Sequence, residues 1–173
     1  MKTLVMVLAT LVLAPLAALG KAPSADEVLA PMKAKAAAEK KAIFLHFGAS
    51  WCGWCKKLDD FLDGPDIKPV FEKYFIPVKL VVQENDKNKD LENPGAEALL
   101  KKLGGPDGLP YSAFLDAHGD MIVNSKRDGA NIGYPAQPSE VDWFLQMMKK
   151  AAPSISQDDL KVIETALRKP SKT

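Results

Sequence analysis

The chain is poor in the residues that cross-link proteins. It has two cysteines in 173 residues, Cys52 and Cys55, so no network of disulfides holds it together. A structural bridge normally joins distant segments, because closing a long loop restricts the unfolded chain more. A bridge across Gly53 and Trp54 alone would close almost nothing, which makes the pair a poor staple and suits it to redox switching. Histidine is as scarce, at His46 and His118. Zinc takes four ligands, and these histidines lack the close spacing of a zinc finger, so no metal or cofactor is expected. The thiolates would also suit Cu(I), but no Met or His sits close in sequence to support them.

Charge of one sign is missing as well, with 23 Lys and Arg against 22 Asp and Glu. No basic run interleaves with aromatics, so neither nucleic acid nor an acidic lipid surface is indicated as a partner. Internal repeats and low-complexity tracts are absent. Apolar runs long enough to attract notice are confined to the N-terminus. There Lys2 precedes an apolar stretch from Leu4 to Leu13 broken only by Thr10, with the small residues Ala18 and Gly20 beyond it. A membrane-spanning helix needs roughly 20 apolar residues, and this stretch is shorter. A positive start, a short apolar core and small residues are the parts of a secretory signal, placed at residues 1–20. Export to a periplasmic or otherwise extracytoplasmic space follows, with no stable membrane insertion after cleavage.

Beyond the signal, Ser24 caps a helix reaching about Lys41, with Asp26 and Glu27 in its first turn. The apolar run Ile43 to Phe47 reads as a central strand buried on both faces. A helix follows from Cys52 to about Leu62 with Cys55, Leu58 and Leu62 on one face. Ile67 to Tyr74 adds a turn or short helix, and Ile76 to Val82 a second strand. Gln83 to Asn93 is polar and reads as a surface loop. A helix with Pro94 at its first position carries Leu99, Leu100 and Leu103. Tyr111 to Asp116 and Asp120 to Asn124 form a hairpin. A helix from Ser139 to about Lys150 is ended by Ala152-Pro153, and Ser156 caps a last helix bearing Leu160, Ile163 and Leu167. Strands separated by helices imply parallel pairing, and the hairpin implies an antiparallel edge. The fold class is α/β, a mixed sheet with helices on both faces.

The cysteine spacing carries the chemistry. Positions i and i+3 of a helix are neighbours at a separation compatible with a disulfide. Cys52 at the helix N-terminus would face unpaired amide N–H groups and the positive end of the dipole, which favour thiolate over thiol. Cys52 is therefore the expected nucleophile. Cys55, one turn on and facing the core, would resolve the mixed disulfide.

The segment Phe47-Gly48-Ala49-Ser50-Trp51-Cys52-Gly53-Trp54-Cys55-Lys56 resembles the active-site segment of the thioredoxin superfamily, and most of all that of exported bacterial thioredoxin-like proteins. Gly108-Leu109-Pro110, followed by Phe114-Leu115-Asp116 and Gly119, is similar to that family's cis-proline loop and hairpin. The resemblance implies a thioredoxin fold over residues 21–152, with an N-terminal helix and a C-terminal helical extension at 153–173. It implies a cis Pro110 that turns the Leu109 backbone toward an extended substrate chain. Substrate contacts are expected at Trp51, Gly53, Trp54, Leu109 and Pro110. Where many relatives carry a buried acid, this chain has His46, which either accepts the Cys55 proton or is a core histidine satisfied by a carbonyl. The implied activity is thiol–disulfide exchange on exported protein thiols or disulfides, leaning to reduction and recharged by a membrane electron donor. The competing reading is a non-catalytic chaperone or interaction module on the same fold.

Overall fold

The computed structural model describes residues 21–105 and 108–169; the expected signal segment, 1–20, lies outside the described residues. Helix α1 spans Ala25–Glu39. Ser24 opens it with a capping box, its hydroxyl accepting from Glu27 N–H at 3.2 Å while Glu27 Oε2 accepts from Ser24 N–H at 2.7 Å. The helix runs on through Pro31 and stops at Lys40, whose φ of 54° is left-handed. Strand β1 (Ala42–Gly48) follows, then α2 (Gly53–Leu62), α3 (Lys68–Glu72) and β2 (Phe75–Val81). After a 3₁₀ turn at Asp86–Leu91 come α4 (Ala96–Lys102), β3 (Tyr111–Leu115) and β4 (Met121–Asn124). A small ribbon of β5 (Lys126–Arg127) and β6 (Ala130–Asn131) leads to α5 (Pro138–Ala151) and α6 (Gln157–Arg168).

The main sheet has the order β2-β1-β3-β4, so β1 is central, and all of its residues are buried as its unbroken apolar run implies. Alternation along β1 splits the core in two. Ile43, Leu45 and Phe47 pack with α1 and α4 on one face. Phe44 faces the other, where its ring meets Phe114 at 4.9 Å, Phe71 at 5.2 Å and Phe144 at 5.9 Å. Each such pair adds about 0.5–1.5 kcal/mol beyond its area burial. Leu160, Ile163 and Leu167 of α6 are buried in this second cluster together with α5 and Phe71 of α3. Pro77 lies in β2, an edge strand, where a missing ladder donor is tolerated.

Three expectations change. Strand β3 is antiparallel to β1, pairing Phe47 with Tyr111 and Ile43 with Leu115, although helical segments separate them in the chain. The connection from β2 re-enters the sheet at the end where β1 finishes, which brings the start of β3 beside the start of α2. Pro94 precedes α4 rather than opening it. Asn93 is committed elsewhere, its Oδ1 accepting from Val81 N–H and its Nδ2 donating to Pro23 O, and Pro94 O accepts from Ala25 N–H. Gly95, with φ of 85°, then turns the chain into the helix at Ala96. The polar stretch Gln83–Asn93 is not a plain surface loop, since it holds the 3₁₀ turn and a buried carboxylate, Glu84.

Candidate active site

Strand β1 delivers the chain to the site. Beyond Gly48 it turns so that Cys52 N–H donates to Ala49 O at 3.1 Å and Cys52 becomes the N-cap of α2. Its Sγ accepts from Cys55 N–H at 3.1 Å, one of the donors a helix start leaves unpaired. The sulfurs are joined at 1.99 Å, with Cα atoms 5.2 Å apart. Cys52 keeps 7% of its surface exposed and Cys55 none, so of the two sulfur-bearing residues only Cys52 retains any exposure. This is the asymmetry that a nucleophile and a resolving thiol need.

Gly48 makes the close approach possible. A Cβ on it would lie 3.1 Å from Cys55 Cβ and 3.3 Å from Cys55 Sγ. Across the site, the Leu109–Pro110 peptide bond is cis, and Leu109 packs on Ala49, Cys52 and Cys55. Pro110 is buried. Asn131 Nδ2 holds this loop, donating to Gly108 O at 2.9 Å and to Pro110 O at 3.0 Å. The β5–β6 ribbon therefore braces the proline loop. Of the remaining expected contacts, Gly53 is exposed, and Trp51 and Trp54 are 56% and 52% exposed. Trp51 Nε1 donates to Gln83 O at 2.8 Å. Trp54 stacks on Tyr134 with centroids 5.9 Å apart, and Lys57 Nζ lies 5.0 Å from both ring centres. Burial pushes the Tyr134 phenol up.

His46 is buried on β1 with Nε2 2.9 Å from Asp59 Oδ1, while Lys79 Nζ donates to Asp59 Oδ2. Among the described residues its hydrogen-bond partner is thus Asp59, four residues along α2 from Cys55, and Nδ1 has none. Burial raises the Asp59 carboxyl, but the bonds from His46 and Lys79 outweigh it and hold Asp59 below its ordinary value. His118 stands apart in the exposed β3–β4 turn.

The sequence placed Gly48 in the active-site segment without a role of its own and gave no site role to Asp59, Lys79, Glu84, Asn131 or Tyr134. Gly48 had a usable signal, a glycine closing an apolar strand just ahead of the cysteines. The others are polar or aromatic residues whose place depends on tertiary contacts.

The family model described as thioredoxin-like matches residues 27–117, from the first turn of α1 through Cys52, Cys55 and Pro110 to the turn after β3. The chain belongs to the thioredoxin-like family. Solved structures similar to this thioredoxin-like protein include a disulphide isomerase from Xylella fastidiosa Temecula1, with 21% identity over 82% of this chain and 84% of that chain and a TM-score of 0.45. The oxidised C-terminal domain of DsbD from Neisseria meningitidis shows 21% identity over 73% of this chain and 98% of that one, with a TM-score of 0.47. A thioredoxin from Thermus thermophilus shows 16% identity over 74% and 83%, with a TM-score of 0.44. No curated protein matches. Among the described residues no helix is long and apolar enough to cross a membrane.

Proposed function

We propose that this thioredoxin-like protein is a thiol–disulfide oxidoreductase of exported proteins, acting chiefly as a reductase. The observation that carries the reading is the disulfide between a helix-capping Cys52 that keeps a small exposed fraction and a fully enclosed Cys55. In the dithiol form, the Cys52 thiolate attacks one sulfur of a substrate disulfide. That S–S bond breaks and the departing thiolate takes up a proton. Cys55 then gives up its proton and attacks Cys52 Sγ, releasing the second substrate thiol and closing the Cys52–Cys55 bridge. The substrate gains two electrons and the protein loses two, so a two-electron donor must restore the dithiol; in an extracytoplasmic compartment that donor is membrane-borne. His46, whose Nδ1 has no hydrogen-bond partner, is the proposed acceptor of the Cys55 proton. Trp51, Gly53, Trp54, Leu109 and Pro110 form the surface on which the substrate chain lies. The signal at residues 1–20 supplies the export.

Turnover of a protein disulfide such as insulin's, with wild type and Cys52→Ser side by side, tests the reading. Turnover by wild type that vanishes in Cys52→Ser supports it. Binding of unfolded chains without turnover in either protein would instead mark an interaction module. Equilibration with glutathione and dithiothreitol sets the direction, since a potential near about −270 mV fits a reductase and one near about −120 mV an oxidant.

A further inference from the structure

Glu84 has no part in the exchange chemistry above, yet it is 5% exposed and directed at the loop that presents the nucleophile. Its Oε1 accepts from Ser50 N–H and its Oε2 from the Ser50 hydroxyl at 2.7 Å. Ser50 Oγ in turn accepts from Asn88 Nδ2 at 2.9 Å while its proton goes to Glu84, so both carboxylate oxygens act as acceptors. Around it, Glu92 Oε1 accepts from Glu84 N–H, and Lys89 reaches Glu84 O and Glu92 rather than the Glu84 carboxylate. Among the described residues no cation bonds either carboxylate oxygen of Glu84. A buried acid without a counter-ion is costly, and an amide oxygen would hold the Ser50 N–H as well. The clamp explains an acceptor at this position but not a charge.

We propose that Glu84 is a positioning residue whose buried negative charge keeps the Cys52–Cys55 couple reducing. It fixes Ser50, two residues ahead of Cys52, and so fixes the turn that caps α2. The same charge opposes the helix N-terminus, since a second negative charge on Cys52 is harder to form beside it. The dithiol state is destabilised relative to the neutral disulfide, and the protein gives up its electron pair more readily. This inference rests on the oxidoreductase reading and deepens it.

The test is the equilibrium constant with glutathione for wild type, Glu84→Gln and Ser50→Ala, with circular dichroism to check the fold. Glu84→Gln keeps an acceptor for Ser50 and removes the charge. Its equilibrium should move three- to tenfold toward the dithiol, about 15–30 mV at 29.6 mV per decade. Ser50→Ala keeps the carboxylate and removes the hydroxyl that compensates it, so its equilibrium should move toward the disulfide. A Glu84→Gln constant within twofold of wild type, or displaced toward the disulfide, would overturn the inference. If Glu84→Gln does not fold, Ser50→Ala decides: a shift toward the disulfide supports the role, and no shift or the opposite one ends it. A wild type that does not exchange with glutathione at all contradicts the oxidoreductase reading itself, which is a different outcome from unshifted variants.

Discussion

Gly48→Ala adds one methyl group where its neighbours would have to give by a few tenths of an ångström. The new Cβ would sit 3.1 Å from Cys55 Cβ, 3.3 Å from Cys55 Sγ and 3.6 Å from Lys79 Cε. The strand cannot withdraw readily, because Gly48 is in register with Val81 of β2 and its carbonyl accepts from Val82 N–H at 2.9 Å. The helix is held as firmly by Leu58 and Leu62, both buried in the core. Overpacking of this kind costs about 1–3 kcal/mol, and the stiffer unfolded chain of an alanine variant returns about 0.4–1 kcal/mol, leaving a net loss centred near about 1 kcal/mol and at most about 2.6 kcal/mol. At about 2–4 °C per kcal/mol for a chain of this size, the oxidised protein should melt about 2–4 °C lower, and at most about 10 °C lower. The reduced protein should lose somewhat less, because rotation about χ1 can move a free Cys55 Sγ out of contact, while the 3.1 Å approach to Cys55 Cβ remains in both states. Gly53→Ala is the internal control, since no atom lies within 4 Å of its added Cβ and its Tm should hold or rise slightly. Calorimetry of both variants, oxidised and reduced, measures all four values. A Gly48→Ala Tm at or above wild type, or an equal loss in both redox states, would refute the steric reasoning.

Trp54→Ala removes a half-exposed ring stacked on Tyr134, so its Tm should change little while kcat/KM on a protein disulfide falls several-fold. Activity on glutathione disulfide, which is too small to span the platform, should stay within about twofold, as expected for a side chain that contacts a chain rather than the reacting sulfurs. Asp159, near the start of α6, is held at about 2 by hydrogen bonds from Lys73, Tyr74 and Ser156, below its ordinary 3.8. A depressed carboxylate contributes stability that is fully present above its unfolded value and lost as pH falls through the folded one. Wild type should therefore exceed Asp159→Asn in urea unfolding at neutral pH, with the gap narrowing below about pH 4 and closing only below about pH 2; a constant gap would contradict the assignment.

Much of this architecture was legible because local signals agreed with the final contacts. The run from Ile43 to Phe47 is apolar without alternation, which fits only a strand covered on both faces, and Ser24 and Ser156 cap the helices that they precede. The approach of Cys52 and Cys55 at the start of α2 was legible from helix spacing, and the cis Pro110 loop from family resemblance. Strand direction was harder, since apolar periodicity is the same read either way, and β3 runs against the parallel expectation. Pro94 misled because its first-turn preference is local, whereas Asn93 is bound to Val81 and Pro23, which are distant in sequence. Glu84 and Asn131 were invisible for a related reason. A polar residue in a polar stretch gives no sign that its partners are a turn backbone or a proline carbonyl far along the chain. His46 showed its position on β1 but not its partner, because Asp59 meets it only once α2 has packed on the sheet.

In the proposed exchange Cys52 attacks and Cys55 resolves. The most direct measurement mixes reduced Cys55→Ser with an oxidised protein substrate and maps the product by mass spectrometry. With the resolving thiol gone, a mixed disulfide between the substrate and Cys52 should accumulate, while Cys52→Ser under the same conditions traps nothing through the enclosed Cys55. Absence of the Cys52 adduct, or equal trapping through Cys55, would contradict the assignment.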